Sequence, residues 1–316
     1  AEYPLMTNHA GAAREASIPA ASIDAIERAL VPSAGVLRLN RMLGHKGFVI
    51  AGTILSLIVL MAFAAPLVAP YDPYAQDLGN RLVPPAFMQG GSWAQPLGTD
   101  GLGRDYLSRV VYGARVSLLI GVLTALMSGI IGAALGVTAG YFGGRVDAVI
   151  CYVLAVRLSM PVVLIALSVV SLIGGSLTAV IVVLGLLLWD RYAVVLRSAT
   201  QQVRALDFVT AAQAVGASTT RIVLTEVLPN VMNSLIVVAT FEVAHAILLE
   251  AALSFLGLGV QPPLPSWGLM IAEGRQHILF EPWVIVIPGI ALSILVLAVN
   301  MLGDGIRDLA APENRN

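Results

Sequence analysis

Glu242 and His245 stand one helical turn apart in a run, about 228–256, that is otherwise almost wholly apolar. An ionisable group is costly to hold in hydrocarbon, so each must face water or a partner. The pair has two readings: the side chains satisfy each other at a helix interface, or they line a water-filled path, where the carboxylate could meet an ammonium group. Arg157 poses the same problem. At 1.5 Å per residue it lies about 15 Å further along a helix than Asp147, deep in a span, and its candidate partners are Glu242 and, by reaching back toward the interface, Asp190. Glu250 is the third ionisable residue of the 228–256 run.

Chemistry of other kinds is not encoded. No Gly-rich turn ends in Lys-Ser or Lys-Thr, and the sole lysine, Lys46, is followed by Gly47, so the chain has no phosphate-binding loop with which to hydrolyse ATP. Gly98, Gly101 and Gly103 do not follow a strand in a βαβ unit, which argues against a dinucleotide site. His9, His45, His245 and His277 are scattered, without the spacing of a metal site, and no serine sits in a G-x-S-x-G elbow. Cys151 is the only cysteine, read as a small buried helix residue, so no disulfide forms within the chain. Neither a catalytic nor a metal site is expected, and no cofactor in this chain.

The elements that position these residues are membrane spans. Hydrophobic residues make up 58% of the sequence and charged ones 12%, with mean hydropathy +0.86, where soluble domains have about a quarter charged. Uncharged runs cover 47–69, 116–144, 158–189 and 282–303, and a crossing takes roughly 20 residues. The run ending at Trp189, joined to the residues from Ala148, is too long for one helix, and Gly174-Gly175-Ser176 offers a turn. With 228–256 the expected total is six helices, in an all-α integral membrane protein. Continuous apolar runs, not alternating segments, exclude a β-barrel.

Charge near zero gives no field to attract nucleic acid. Its distribution sets orientation. With the N-terminus inside, Arg14, Arg28, Arg38, Arg41, Lys46, Arg145, Arg191, Arg197, Arg204, Arg221, Arg307 and Arg315 are cytoplasmic. Only Arg81, Arg104, Arg109, Arg115 and Arg275 are then outside, a bias that puts both termini in the cytoplasm. Residues 1–46 form a polar tail without a signal-peptide core, so the first span, 47–69, is retained; Ala1 to Leu5, ahead of Met6, read as a cloning remnant. Residues 70–115 are expected to form an ordered external cap and an interfacial helix carrying Asp105, Arg109 and Tyr112. A core of 116–306 and a cytoplasmic tail of 307–316 follow. Gly132, Gly136, Gly140 and Gly144, spaced by four, invite close helix packing, either within the subunit or against a second one.

Inside the core, residues 197–229 break the apolar pattern. The string TAAQAVGASTTRIVLTEVLP, Thr210 to Pro229, reads as a short helix, a break and a second helix start, and must lie in water between two spans. Its spacing resembles the EAA motif of bacterial ABC importer permeases, E-A-A-x3-G-x9-I-x-L-P. Ala211, Ala212, Gly216, Leu228 and Pro229 match; Thr210 replaces the usual Glu and Glu226 the frequent Ile. Further strings are similar to permeases of dipeptide and oligopeptide importers: GTDGLGRDYLSRVVYGARVSL from Gly98, YFGGRVD from Tyr141, EAALSFLGLGVQPP from Glu250 running on to Pro265-Ser266-Trp267-Gly268, and NMLGDGIRD from Asn300. The family tends to place Arg and Asp where this chain has Tyr152 and Ala155.

The resemblance covers about 47–312 and implies a type I ABC importer permease fold, of the second-permease type. It further implies a second homologous permease, two ATPase subunits that bind ATP and Mg, a periplasmic solute-binding protein, and a place in the bacterial inner membrane. The helix 205–218 would dock on an ATPase, with Ala205, Thr210, Ala211, Ala212, Val215, Gly216, Ala217, Ser218 and Arg221 as docking residues. Glu250, inside the resembling string, would position the outer end of the fifth helix. On the path reading of the two residues, Glu242 and His245 would stand on the translocation path. The alternative class is a self-sufficient channel or secondary carrier, which is expected to have internal repeats or helices broken at mid-membrane.

Overall fold

The computed structural model describes residues 44–310; the expectations for 1–43 and 311–316 lie outside the described residues. Apart from one isolated β-bridge between Thr99 and Asp105, the regular elements are helical. Five helices are long and apolar enough to cross a membrane, and a bent pair makes a sixth crossing if counted as one span.

Helix α1, Lys46–Phe63, ends earlier than the expected Ala69. Pro66 explains the stop: it has no N–H to give and its ring would meet the carbonyl of Ala62. One further turn, α2 (Ala65–Val68), then leads into the loop. The expected cap is ordered by ties across the loop, including Leu82 N to Asp100 O at 3.1 Å, Thr99 N to Val83 O at 3.0 Å and Tyr106 N to Gly98 O at 3.0 Å.

The interfacial helix is not a separate element. Asp105 caps a single helix, α3 (Tyr106–Phe142), by accepting from Ser108 N at 2.8 Å, and no proline interrupts its 37 residues. The boundary expected at residue 116 therefore falls mid-helix. Gly143, at φ 65°, turns the chain into α4 (Gly144–Leu158), and α5 (Val162–Ile173) follows at a bend of 80°. Pro161 sits at that break and disfavours helical geometry at the residue before it.

After the turn at Gly174–Ser176, α6 (Leu177–Leu187) and α7 (Asp190–Arg204) form one 28-residue span. The helical stretch thus runs on past Trp189. Asp190 and Arg191, expected at the cytoplasmic face, fall within the same 28-residue stretch. A short helix, α8 (Asp207–Ala214), precedes the long span α9 (Thr219–Phe255). Within α9, residues Ile222–Val227 form a wider π turn ahead of Pro229, which relieves the clash of the proline ring with the turn before it. Helix α10 (Trp267–Gly274) and span α11 (Trp283–Ala310) complete the fold.

Helix α3 is the axis of the bundle. At one end it packs with α1, α9, α10 and α11 around Tyr106, Val110, Ile247, Trp267 and Met270. Midway it meets α5, α6 and α9 around Ile120, Val180, Leu184 and Leu253. Near α8 it packs with α7 and the start of α9 around Val137, Tyr141, Leu196, Val209 and Ile222. The glycine stripe faces α7: a Cβ on Gly132, Gly136 or Gly140 would lie 2.4–2.6 Å from the carbonyl oxygens of Trp189, Ala193 and Arg197 respectively. Of the two readings these three glycines take the intrasubunit one, whereas Gly144 faces open space. Cys151, expected to be buried, is half-buried, its thiol 3.4 Å from Asp147 Oδ1.

Candidate functional site

Three sites lie along the bundle, and α8 builds the first. The helix is shorter than the expected 205–218. Ala205 caps the preceding span, and Ser218 caps the next by accepting from Arg221 N at 3.4 Å. Gly216 closes α8 with φ 83°. The N–H of Gly216 reaches Gln213 O at 3.0 Å and that of Ala217 reaches Ala212 O at 3.0 Å, the paired bonds of a helix stop that requires a left-handed residue. Buried Val209 roots the helix in the core, while Val215 is 88% exposed. Ala211, Ala212, Val215, Gly216, Ala217 and Arg221 line an open cleft of about 430 Å³ with Ile222, Thr225 and Glu226. Ala205, Thr210 and Ser218 are exposed but outside it. Thr210, in the place of the family's Glu, donates to Asp207 O at 2.8 Å. The carboxylate in the cleft belongs to Glu226.

The second site lies at mid-span. Glu242 is 1% exposed, with Arg191 Nη1 at 3.2 Å from one oxygen and His245 Nδ1 at 3.2 Å from the other. Both expected residues are together, but the exposed member of the group is Arg191, whose side chain is 58% accessible. Arg191 was missed because the uncharged run ends at Trp189. The signal was available: from the turn at Gly174-Gly175-Ser176 to Trp189 is too short a stretch to cross roughly 30 Å of hydrocarbon, so the helix had to continue through Asp190 and Arg191. The face of α7 that carries Arg191 also exposes Val194, Val195, Ser198, Gln201 and Gln202.

Arg157 is paired with Asp190, at 3.9 Å, and not with Glu242. Its stronger contacts are to backbone. Nε donates to Leu187 O at 3.0 Å, Nη2 donates to the same oxygen, and Nη1 reaches Met160 O at 3.5 Å. Leu187 ends α6 and Met160 lies in the α4–α5 break, so one guanidinium satisfies carbonyls left free by two interrupted helices. Asp147, in turn, holds Arg197, with Nη2 at 2.7 Å from Oδ2.

The third site is the end opposite α8. Asp100 accepts from Leu102 N at 2.8 Å, Arg104 N at 3.0 Å, Arg104 Nε at 2.6 Å, and Arg109 Nη1. Glu273 of α10 completes the network, 3.3 Å from Arg104 and 2.8 Å from Arg109. Burial pushes the Asp100 carboxyl up, but Arg109, Arg104 and the backbone donors outweigh it and hold it below the usual carboxylate range. Glu250 is fully buried. Its Oε1 takes Ser254 Oγ at 2.7 Å and Ser266 Oγ at 2.9 Å. Ser266 also caps α10, accepting from Leu269 N at 3.0 Å, so Glu250 fixes the end of α9 to α10, the kind of positioning role that the resembling string implied.

Comparison with known proteins bears directly on this arrangement. Residues 132–316 match the family described as binding-protein-dependent transport system inner membrane component. Residues 35–85 match the N-terminal TM domain of oligopeptide transport permease C. The di/tripeptide transport system permease protein of Pseudomonas aeruginosa is 43% identical over 82% of this chain and 86% of its own. The dipeptide transport system permease protein of Haemophilus influenzae is 36% identical, covering 85% of this chain and 91% of its own. For the glutathione transport system permease protein of Pectobacterium atrosepticum the identity is 35%, over 87% and 89%. A solved structure described as an inward facing conformation of the MetNI methionine ABC transporter shares the fold at TM-score 0.54 and 19% identity, covering 64% of this chain and 97% of its own. With a helical bundle of five candidate spans, a sixth if the bent pair is one crossing, and a short helix between two of them, these matches place the chain in the family of binding-protein-dependent transport inner membrane components, as a multi-pass permease subunit of an ABC importer and not an enzyme.

Proposed function

We propose that this subunit, with a second homologous permease, forms the path by which a peptide or similar small solute enters a bacterium across the inner membrane. A periplasmic solute-binding protein delivers the solute, and two ATPase subunits that bind ATP and Mg drive the cycle. The observation that carries the reading is α8, rooted by Val209 and presenting Val215, Gly216 and the cleft beside them between two membrane spans. ATP-driven closure of the ATPases would press on α8 and rotate the spans joined to it as rigid bodies. The peptide assignment is supported by what the Pseudomonas and Haemophilus relatives are named for. Both termini and α8 face the cytoplasm in this reading, as the Arg and Lys bias favours.

The mid-span group, Arg191 held by Glu242 with His245 beside it, lines the path. Glu242 acts through Arg191, since its own carboxylate is buried. A self-sufficient carrier would also have broken helices, and α4–α5 is a bent pair here. Such a carrier would have no use for α8. Coexpression with candidate partner permease and ATPase subunits, purification on a tag in this chain, and an ATPase assay with solute-loaded binding protein test the reading. Copurified ATPase subunits with solute-stimulated hydrolysis are expected; a partnerless chain that moves solute without ATP would contradict it.

A further inference from the structure

Helices α1 and α3 leave a cleft of about 320 Å³ between them, lined by Val59, Ala62, Phe63, Leu118, Leu119 and Val122, with Arg115 at its edge. Two rulers set its depth. The 37 residues of α3 measure about 55 Å against roughly 30 Å of hydrocarbon, so a symmetric placement leaves roughly eight residues beyond the apolar layer at each end. Arg115 then lies at the boundary. The 18 residues of α1 measure about 27 Å, which puts Phe63, its last residue, at the same boundary. From there the cleft runs inward, Val122 lying about 10 Å deeper along α3.

The cleft is therefore cationic at the membrane surface and apolar below it. Phe63 is 80% exposed, Leu119 44% and Val122 42%. Arg115 is exposed, stacks 5.7 Å above the ring of Tyr112, and among the described residues has no acidic partner within ion-pair distance. A guanidinium at the edge of the hydrocarbon with no acidic partner turns to the headgroup layer, where phosphate is the complementary charge, and an apolar cleft in a bilayer fills with hydrocarbon. The geometry points to a phospholipid site, with the phosphate on Arg115 and one acyl chain lying along Leu118, Leu119 and Val122 against Val59 and Phe63. Arg recognises phosphate through paired N–H donors, which a lysine supplies only as a point charge. The site stands apart from α8 and from Arg191, so it holds or fails independently of the transport reading.

Native mass spectrometry of the purified, assembled complex after stepwise delipidation tests it, together with phosphorus analysis of an organic extract. Wild type is expected to retain a phospholipid on this chain that extracts into organic solvent. Arg115→Gln is expected to lower retention about tenfold, and Val122→Trp, which fills the cleft but keeps the guanidinium, to do the same. If Arg115→Gln fails to assemble, Val122→Trp carries the test alone. Retention unchanged in both variants overturns the site. So does phosphorus that stays aqueous as inorganic phosphate, or a Leu119→Cys that cross-links to the second permease in a Cys151→Ala background, which would show a protein surface and not lipid filling the cleft.

Discussion

At the scale of single residues, the mid-span charges divide into one that closes the fold and one that faces outward. Arg157 satisfies carbonyls at two helix breaks, so Arg157→Ala leaves them bare in an apolar setting, at about 1–3 kcal/mol for an unsatisfied group. The yield of assembled complex, measured by size exclusion, is expected to fall. Glu242→Gln removes the charge that holds Arg191 without changing shape, and is expected to slow transport while expression stays normal. A double-mutant cycle with Arg191→Gln checks the route: coupling of about 0.5–3 kcal/mol is expected for residues in contact, and additive effects would separate them. The sequence made Arg157, Glu242 and His245 legible as groups that need partners. It left Arg191 hidden, because a charge next to a tryptophan reads as a span end until the length of the helix before it is weighed. Asp100 supplies a pH dependence: its folded pKa is lowered, so its stabilisation is complete above its unfolded value, about 3.9, and is lost as pH falls through the lower folded value. Asp100→Asn should flatten the acid limb of a thermal-stability profile.

At the scale of elements, α8 and the α3–α7 seam depend on glycines for different reasons. Gly216 has open space around it but sits at φ 83°, so its requirement is conformational. Gly216→Val pays roughly 1–2 kcal/mol for a left-handed β-branched residue and is expected to abolish solute-stimulated ATP hydrolysis in a correctly inserted protein. Gly216→Asn, which tolerates that geometry, should keep most of the activity, and a Val variant with full stimulation would remove the claim. Gly136 is instead limited by space: a Cβ would meet Ala193 O at 2.6 Å. Gly136→Leu should therefore prevent assembly altogether. The stripe and the end of α8 at Gly216 were readable from spacing. The ends of the spans were less so, because hydropathy marks where a chain is apolar, not where Pro66 or Pro161 stops a helix or where Asp105 lets one start outside the apolar layer.

At the scale of the whole molecule, the order of spans and the short helix between the fourth and fifth crossings followed from apolar run lengths and one polar insert. The tilts, the 80° bend and the lateral cleft did not, because they depend on how neighbouring helices share carbonyls and small residues. Orientation is open to labelling: in a Cys151→Ala background, Gln89→Cys should react with a membrane-impermeant maleimide from the periplasmic side, and reaction only from the cytoplasm would invert the topology. The central claim, that this chain forms part of the path and another subunit supplies the energy through α8, is tested most directly by reconstituting the purified complex in proteoliposomes with loaded binding protein. Uptake is predicted to require ATP on the α8 side and to vanish with Gly216→Val while binding protein still docks. Uptake that proceeds without ATP, or that Gly216→Val leaves unchanged, would contradict the account.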